Sequence, residues 1–251
     1  MKILAITQAR YGSTRLPGKI LKNISGKTLL EIHLIRILQS KRISKLKIAT
    51  TTEEGANKIT AIGEKLGVGS YKGSIDDVLE RFYFTALPEN PDYLVRLTSD
   101  CPLIDPYEID KVIDVCISNN VDYASNALTP TFPDGIDVEV FKFSALKKAY
   151  EEASIKSDRE HVTPYICRNS TEKGGTIFTS INVSNPKDYS NYRITVDTDK
   201  DFTVLQILIE KLGIDKPWLE YISFLDNNED IKAINSEYER NEGYLNSVKN
   251  D

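Results

Sequence analysis

The sequence predicts an α/β fold: one domain built on a mainly parallel mixed sheet flanked by helices. Two patterns carry that expectation. Short apolar runs alternate with helical periodicity through the first half of the chain, joined by short connections. The first of these runs empties into a Gly-, Ser- and Pro-bearing loop, QARYGSTRLPGK, at the strand end where an open α/β sheet forms its ligand crevice.

Residues 3–6, 47–49, 68–71, 93–97 and 121–124 read as strands. Leu30, Leu34, Ile37 and Leu38 share one face of the first helix. Thr51 with Glu54 makes a capping-box pattern ahead of a second helix, and Ser74 with Asp77 resembles the same device ahead of a third. Asp105 as cap, Pro106 at the first helical position and Glu108 behind them open a fourth. The second half is less regular. Residues 136–141, 176–183 and 192–196 read as strands, 143–153 and 199–212 as helices, and Ser157 with Glu160 starts another helix. Two short amphipathic helices follow Gly213, around 218–225 and 230–240. No low-complexity linker or repeat divides the chain, so residues 1–212 read as the domain and 213–251 as a helical extension packed on it.

Composition narrows the function. A chain of 251 residues that is 40% hydrophobic and 27% charged is an ordinary globular protein, and its net charge of −5 argues against a general nucleic-acid or membrane-surface role. No apolar stretch approaches a membrane span, and the N-terminus reads as a strand rather than a signal peptide. Cys101, Cys116 and Cys167 have an odd count and no CxxC spacing, the pattern of reduced packing thiols in the cytoplasm.

Against this acidic balance, the first thirty residues carry Lys2, Arg10, Arg15, Lys19, Lys22 and Lys27 and no acidic side chain. Three of these cations sit in the loop after the first strand. Glycine there lets backbone amides approach closely, hydroxyls donate, and cations offset phosphate charge. The loop is not a P-loop: Gly12 and Gly18 are separated by five residues, and Ile20 follows Lys19. A GxGxxG turn is absent, so a nicotinamide or flavin site has little support.

A strand ending in a carboxylate occurs twice: residues 93–97 run into Asp100, and 192–196 into Asp197. Mg²⁺ favours one or two carboxylates with phosphate oxygens and water, so this pair is a candidate metal site; a turn at Asp100 and a helix cap at Asp199 are the plainer alternatives. Period-two geometry puts Asp137 and Glu139 on one strand face, where they either bind acceptor hydroxyls or face solvent. Arg159 and His161 are candidates for gripping an anionic acceptor. His33, inside an apolar helix, reads as a satisfied packing residue, and Trp218 as core or dimer interface.

Seven blocks in order, QARYGSTRLPGKILKNISGKTLLEI, KIATTTEE, YKGSIDDVLERF, VRLTSDCPLIDP, FPDGIDVEVF, SDREHVTPY and ITVDTDKDF, resemble the spore-coat-polysaccharide type of cytidylyltransferase. These are relatives of the enzymes that make CMP-3-deoxy-manno-octulosonate and CMP-sialic acids. The resemblance covers about residues 1–210. It implies a nucleotide-diphospho-sugar-transferase-like fold of the GT-A/Rossmann-like kind. It also implies CTP as substrate, with Arg10, Ser13, Arg15 and Lys19 on the triphosphate and Gln8 and Ala9 beside the base. Asp100 and Asp197 become ligands of Mg²⁺, and Thr50, Thr51 and Ser74 flank the nucleotide. Arg15, Lys19 and Asp100 are the implied catalytic residues, and Asp134, Asp137, Glu139, Arg159 and His161 face the acceptor. Relatives often pair as homodimers through the region matching about residues 126–142. The expected reaction is transfer of CMP from CTP to a small anionic or sugar acceptor, a sugar acid foremost, with release of pyrophosphate. A GT-A glycosyltransferase is the nearest rival, though such enzymes usually need Asp-x-Asp where this chain has Ser99-Asp100-Cys101. A non-catalytic nucleotide-binding partner is the other.

Overall fold

Side-chain alternation along the first strand sets the layers. In the computed structural model, which describes residues 1–13, 15–249 and 251, Ile3 and Ala5 pack into one apolar cluster and Leu4 and Ile6 into another. A strand buried on both faces needs helices on both sides, and the chain supplies them.

The order is β1 (Ile3–Gln8), a small hairpin of β2 (Asn23–Ile24) and β3 (Lys27–Thr28), α1 (Leu29–Ile37), β4 (Lys45–Thr51), α2 (Ala56–Lys65), β5 (Gly69–Gly73), α3 (Val78–Ala86), β6 (Tyr93–Thr98), α4 (Pro106–Ser118), β7 (Tyr123–Ser125) and β8 (Glu139–Lys142). Then come α5 (Phe143–Glu152), α6 (Lys156–His161), α7 (Pro164–Arg168), β9 (Ser180–Asn182), α8 (Asp199–Leu212), α9 (Trp218–Asp226), α10 (Glu229–Ala233) and α11 (Glu242–Val248). The main sheet runs β5-β4-β1-β6-β8-β7-β9. Only β8 runs against its neighbours. The loops after β1, β4 and β6 and the loop joining β7 to β8 therefore meet at one edge of the sheet. That edge holds the site.

Helices α1, α2 and α4 cover one face through Leu34, Ile59 and Val112. On the other face α3, α5 and α7 pack Phe82, Leu146 and Ile166. A third cluster joins α8 and α9 to Leu16 of the cationic loop, to Phe132 and to Ile194. Trp218, Tyr221 and Ile222 of α9 are buried in it, so Trp218 is a core residue. Among the described residues no helix is long and apolar enough to cross a membrane.

Several local expectations change. Thr51 caps no helix: it ends β4, and α2 begins at Gly55, whose φ of 97° suits glycine. The cap of α3 is Asp77, which accepts from the Glu80 amide, while Ser74 forms the preceding turn. Ser157 lies inside α6, one residue past its start. Leu38 is the exposed residue just past the end of α1 rather than part of the buried face. Residues 136–141 and 176–183 shorten to β8 and β9. Residues 192–196 form no strand: they lie extended, with a single bridge from Arg193 to Asp134. The segment 230–240 divides into α10 and a turn, and a further helix, α11, follows. Asp105 and Pro106 open α4 as expected. The true capping boxes are Thr28/Glu31 on α1 and Thr198/Asp201 on α8, so Thr198 rather than Asp199 is the cap.

Two buried polar side chains fix α1. The His33 Nδ1–H donates to the Cys101 carbonyl at 2.9 Å, leaving Nε2 to accept from the Thr7 hydroxyl at 2.9 Å. Burial lowers this ring to about 4, so it is neutral and satisfied. Arg36, fully buried, donates to the carbonyls of Ile104 (2.6 Å), Ile214 and Lys216 (3.0 Å), tying α1 to the segments before α4 and α9. Arg36→Leu leaves the buried Ile104 carbonyl and the part-buried bonds to Ile214 and Lys216 without their donor, and is expected to cost about 3 kcal/mol. Urea unfolding measures it; a loss below about 1 kcal/mol would show that those carbonyls find other partners.

Candidate active site

The cationic loop leaves β1 with the Ala9 amide bonded to the Ala49 carbonyl (3.1 Å) and returns where the Gly18 amide bonds to the Tyr11 carbonyl (3.2 Å). Gly18 has φ 67°, a conformation that turns the chain sharply into the short helical turn of Lys19–Leu21. Leu16 and Ile20 are buried and anchor the loop from below. The anchoring leaves Lys19 pointing across the sheet edge.

Its ammonium donates to Asp100 Oδ2 (3.0 Å), Asp197 Oδ1 (2.7 Å) and the Val196 carbonyl (2.8 Å). Burial alone would lower the Lys19 pKa, but the two carboxylates outweigh it and hold it above the ordinary lysine value. Burial would likewise raise Asp100, and Lys19 reverses that, keeping its carboxyl well below the usual range. Arg15 joins from the loop, 3.0 Å from Asp197 Oδ2 and 2.7 Å from Glu242 Oε2.

Backbone stitching brings the two aspartates together across 97 positions of sequence. The Asp100 carbonyl accepts from the Val196 amide (2.8 Å) and the Thr195 hydroxyl (3.0 Å). In the neighbouring turn the Ile194 amide donates to the Asp134 carbonyl (2.8 Å) and the Asp134 amide to the Tyr192 carbonyl (2.9 Å). Gly135 makes that approach feasible: a Cβ there would lie 2.7 Å from the Ile194 carbonyl carbon. Arg193 then gathers the acids. Its guanidinium grips Asp201 with Nε (2.8 Å) and Nη2 (3.0 Å), and reaches Asp134 (2.5 Å) and Asp197 (3.2 Å). Burial would depress Arg193, yet these carboxylates hold it above the ordinary arginine value.

Beyond Lys19 the cleft widens to about 1060 Å³. Its far floor is a relay across four adjacent strands. Arg96 Nε donates to Gln8 Oε1 (3.3 Å), its Nη1 pairs with Glu139, and the Tyr123 hydroxyl donates to Glu139 Oε1 (2.6 Å). Asp137 pairs with Arg240, which also donates to the Phe132 carbonyl (2.9 Å). Burial pushes the Asp137 carboxyl up to about 7 against the pull of Arg240. His161 lies 3.0 Å from the Ser247 hydroxyl, and burial lowers its pKa.

Of the residues singled out from sequence, Gln8, Ala9, Arg10, Ser13, Arg15, Lys19 and Asp100 line this cleft. So do Asp134, Asp137, Glu139, His161 and Asp197. The others do not. Thr50 and Thr51 are fully buried in β4, their hydroxyls without a partner among the described residues. Ser74 is spent on the turn before α3, accepting from the Asp77 amide at 3.1 Å. Arg159 corrects an expectation: two residues from His161, it leaves the opposite side of the helix and clamps Asp77 (2.6 Å) and the carbonyls of Tyr150 and Ala153. It braces α3 against α5. Glu139 and Asp137 do not face open solvent either; each already holds an arginine.

Reading the sequence missed Arg96, Arg193, Arg240 and Glu242. The first two carried a signal, since an arginine inside an apolar extended run must find a partner on burial. The last two lie in the tail and carried none.

The cytidylyltransferase family matches residues 4–243. The spore coat polysaccharide biosynthesis protein SpsF of Bacillus subtilis is 32% identical over 91% of this chain and 95% of its own length. Among solved structures, a cytidylyltransferase from Leptospira borgpetersenii serovar Hardjo-bovis superposes with TM-score 0.87 at 35% identity, covering 95% of this chain and all of that one (100%). A CMP:2-keto-3-deoxy-manno-octonic acid synthetase complexed with CTP shares the fold, with TM-score 0.61 at 16% identity over 84% of this chain and 99% of that one. The family match takes in nearly all of β1, the cationic loop, both strand-end aspartates and the start of α11. On that extent, the chain belongs to the cytidylyltransferase family.

Proposed function

We propose that the enzyme transfers CMP from CTP to a sugar acid, releasing pyrophosphate, in the synthesis of a surface polysaccharide or glycoconjugate. One observation carries the reading: Lys19 is held by Asp100 and Asp197 at the floor of a cleft that opens beside the cationic loop. CTP is supported by family membership and by the fold neighbour whose structure contains it. The acceptor class rests on that neighbour's sugar acid and on SpsF's part in spore coat polysaccharide. Lys156 and Lys173 line the same cleft, in keeping with an anionic acceptor.

An acceptor oxygen attacks the α-phosphorus, the bond to the bridging oxygen of the β-phosphate breaks, and pyrophosphate leaves with the electron pair. Arg15 and Lys19 offset the charge growing on that leaving group. The loop amides and the Ser13 hydroxyl orient the phosphates, and positioning supplies much of the rate. Asp100 and Asp197 would hold Mg²⁺: their oxygens already converge on one cation, at 3.0 and 2.7 Å from the Lys19 nitrogen, and leave the remaining ligand positions to phosphate and water. When bound, the ion supplies charge neutralisation to the triphosphate. No protein base is assigned.

Pyrophosphate release, screened with four NTPs against a panel of sugar acids and sugar phosphates, tests the reading. CTP with a sugar acid is expected to give turnover. Turnover only with another nucleotide would overturn the CTP assignment, and release of a nucleotide from a nucleotide-sugar would point to glycosyl transfer. Lys19→Ala is expected to lower turnover at least about a hundredfold; near-native turnover would remove Lys19 from the chemistry.

A further inference from the structure

We propose that residues 240–249 form an autoinhibitory strap, in which Glu242 holds on Arg15 the place that a polyphosphate takes when it binds. The inference rests on the reading of the loop as a triphosphate site.

Glu242 opens α11 and meets Arg15 across 227 positions of sequence, its Oε2 2.7 Å from the guanidinium. Asn241, at φ 59°, turns the chain so that residues 241–244 line the cleft above the loop. A carboxylate on a guanidinium is what a phosphate replaces: it presents the same paired oxygens with less charge. With Asp197 also bonded to Arg15, that cation already holds two protein acids before any nucleotide arrives. A triphosphate entering beside Glu242 meets like charge at close range, which favours release of the carboxylate.

The strap is fastened by contacts that can be undone. Ser247 bonds to His161 (3.0 Å), and the Asp251 side chain accepts from the Ser157 amide (2.7 Å) and hydroxyl (2.6 Å). Leu245 and Val248, the larger aliphatic side chains of α11, are exposed rather than buried. Of its apolar side chains Tyr244 is partly buried, edge-on to His161 with 5.2 Å between ring centroids, and a seven-residue helix with so little apolar burial belongs to the low-stability end of a fold. Glu242 and Arg15 are themselves 47% and 38% exposed, so their ion pair is weak enough to exchange.

The test is calorimetric titration of the full chain and E242Q with CTP and, separately, with inorganic tripolyphosphate, both with Mg²⁺. E242Q is expected to bind both about three- to fivefold more tightly, the scale of removing one exposed competing ion pair. Equal or weaker binding by E242Q overturns the strap and makes Glu242 a neutral or contributing part of the site. In the wild-type chain, hydrogen exchange over residues 241–249 is expected to quicken on saturation with either ligand; slower exchange would also overturn it. Wild-type binding of tripolyphosphate without CTP would sink the CTP reading, while the comparison with E242Q still decides the strap. Binding of neither would sink both.

Discussion

The site depends on one ammonium group balanced between two carboxylates. Lys19 is nearly buried, and the two carboxylates offset the cost of holding its charge there, while its ammonium offsets the repulsion between Asp100 and Asp197. The two carboxylates keep Lys19 charged, and Lys19 keeps Asp100 ionised. Such a triad holds charge in readiness, because a second cation or an anionic ligand can enter it by exchanging partners rather than by creating a new charged cavity.

Much of the remaining architecture serves that balance. A sheet in which only β8 is reversed brings the loops after β1, β4 and β6 and the β7–β8 loop to one edge. Gly135 lets the segment before β8 lie against residues 192–196, and that segment in turn bonds to the Asp100 backbone. Arg193 ties Asp134, Asp197 and the fully buried Asp201 into one network, while Asp201 also accepts from the Asp197 amide and completes the capping box of α8. Position in the fold and charge state in the cleft are set by the same bonds.

The parallel half of the fold was legible because β1, β4 and β6 are short apolar runs buried on both faces, a pattern that depends on local sequence. The capping-box readings at Thr51 and Ser74 failed because that pattern is short, and strand continuation or a turn satisfied the same residues first. Residues 192–196 are extended as their alternation suggested. Their partners, however, are single backbone groups of Asp134 and Asp100 rather than a ladder, and sequence periodicity does not report partners. The loop cations and strand-end acids announced themselves by clustering at strand termini. Arg159 did not reveal which side of a short helix it would take, and the tail's contacts with Arg15, Asp137 and His161 span distances in sequence that no local pattern encodes.

Anomalous diffraction from crystals grown with Mn²⁺ and CTP addresses the Lys19 balance directly. A manganese peak is expected within about 2.2 Å of oxygens from both Asp100 and Asp197, with CTP phosphate oxygens bonded to Lys19 and Arg15. Manganese and triphosphate bound elsewhere, with Lys19 still locked on both aspartates, would contradict it.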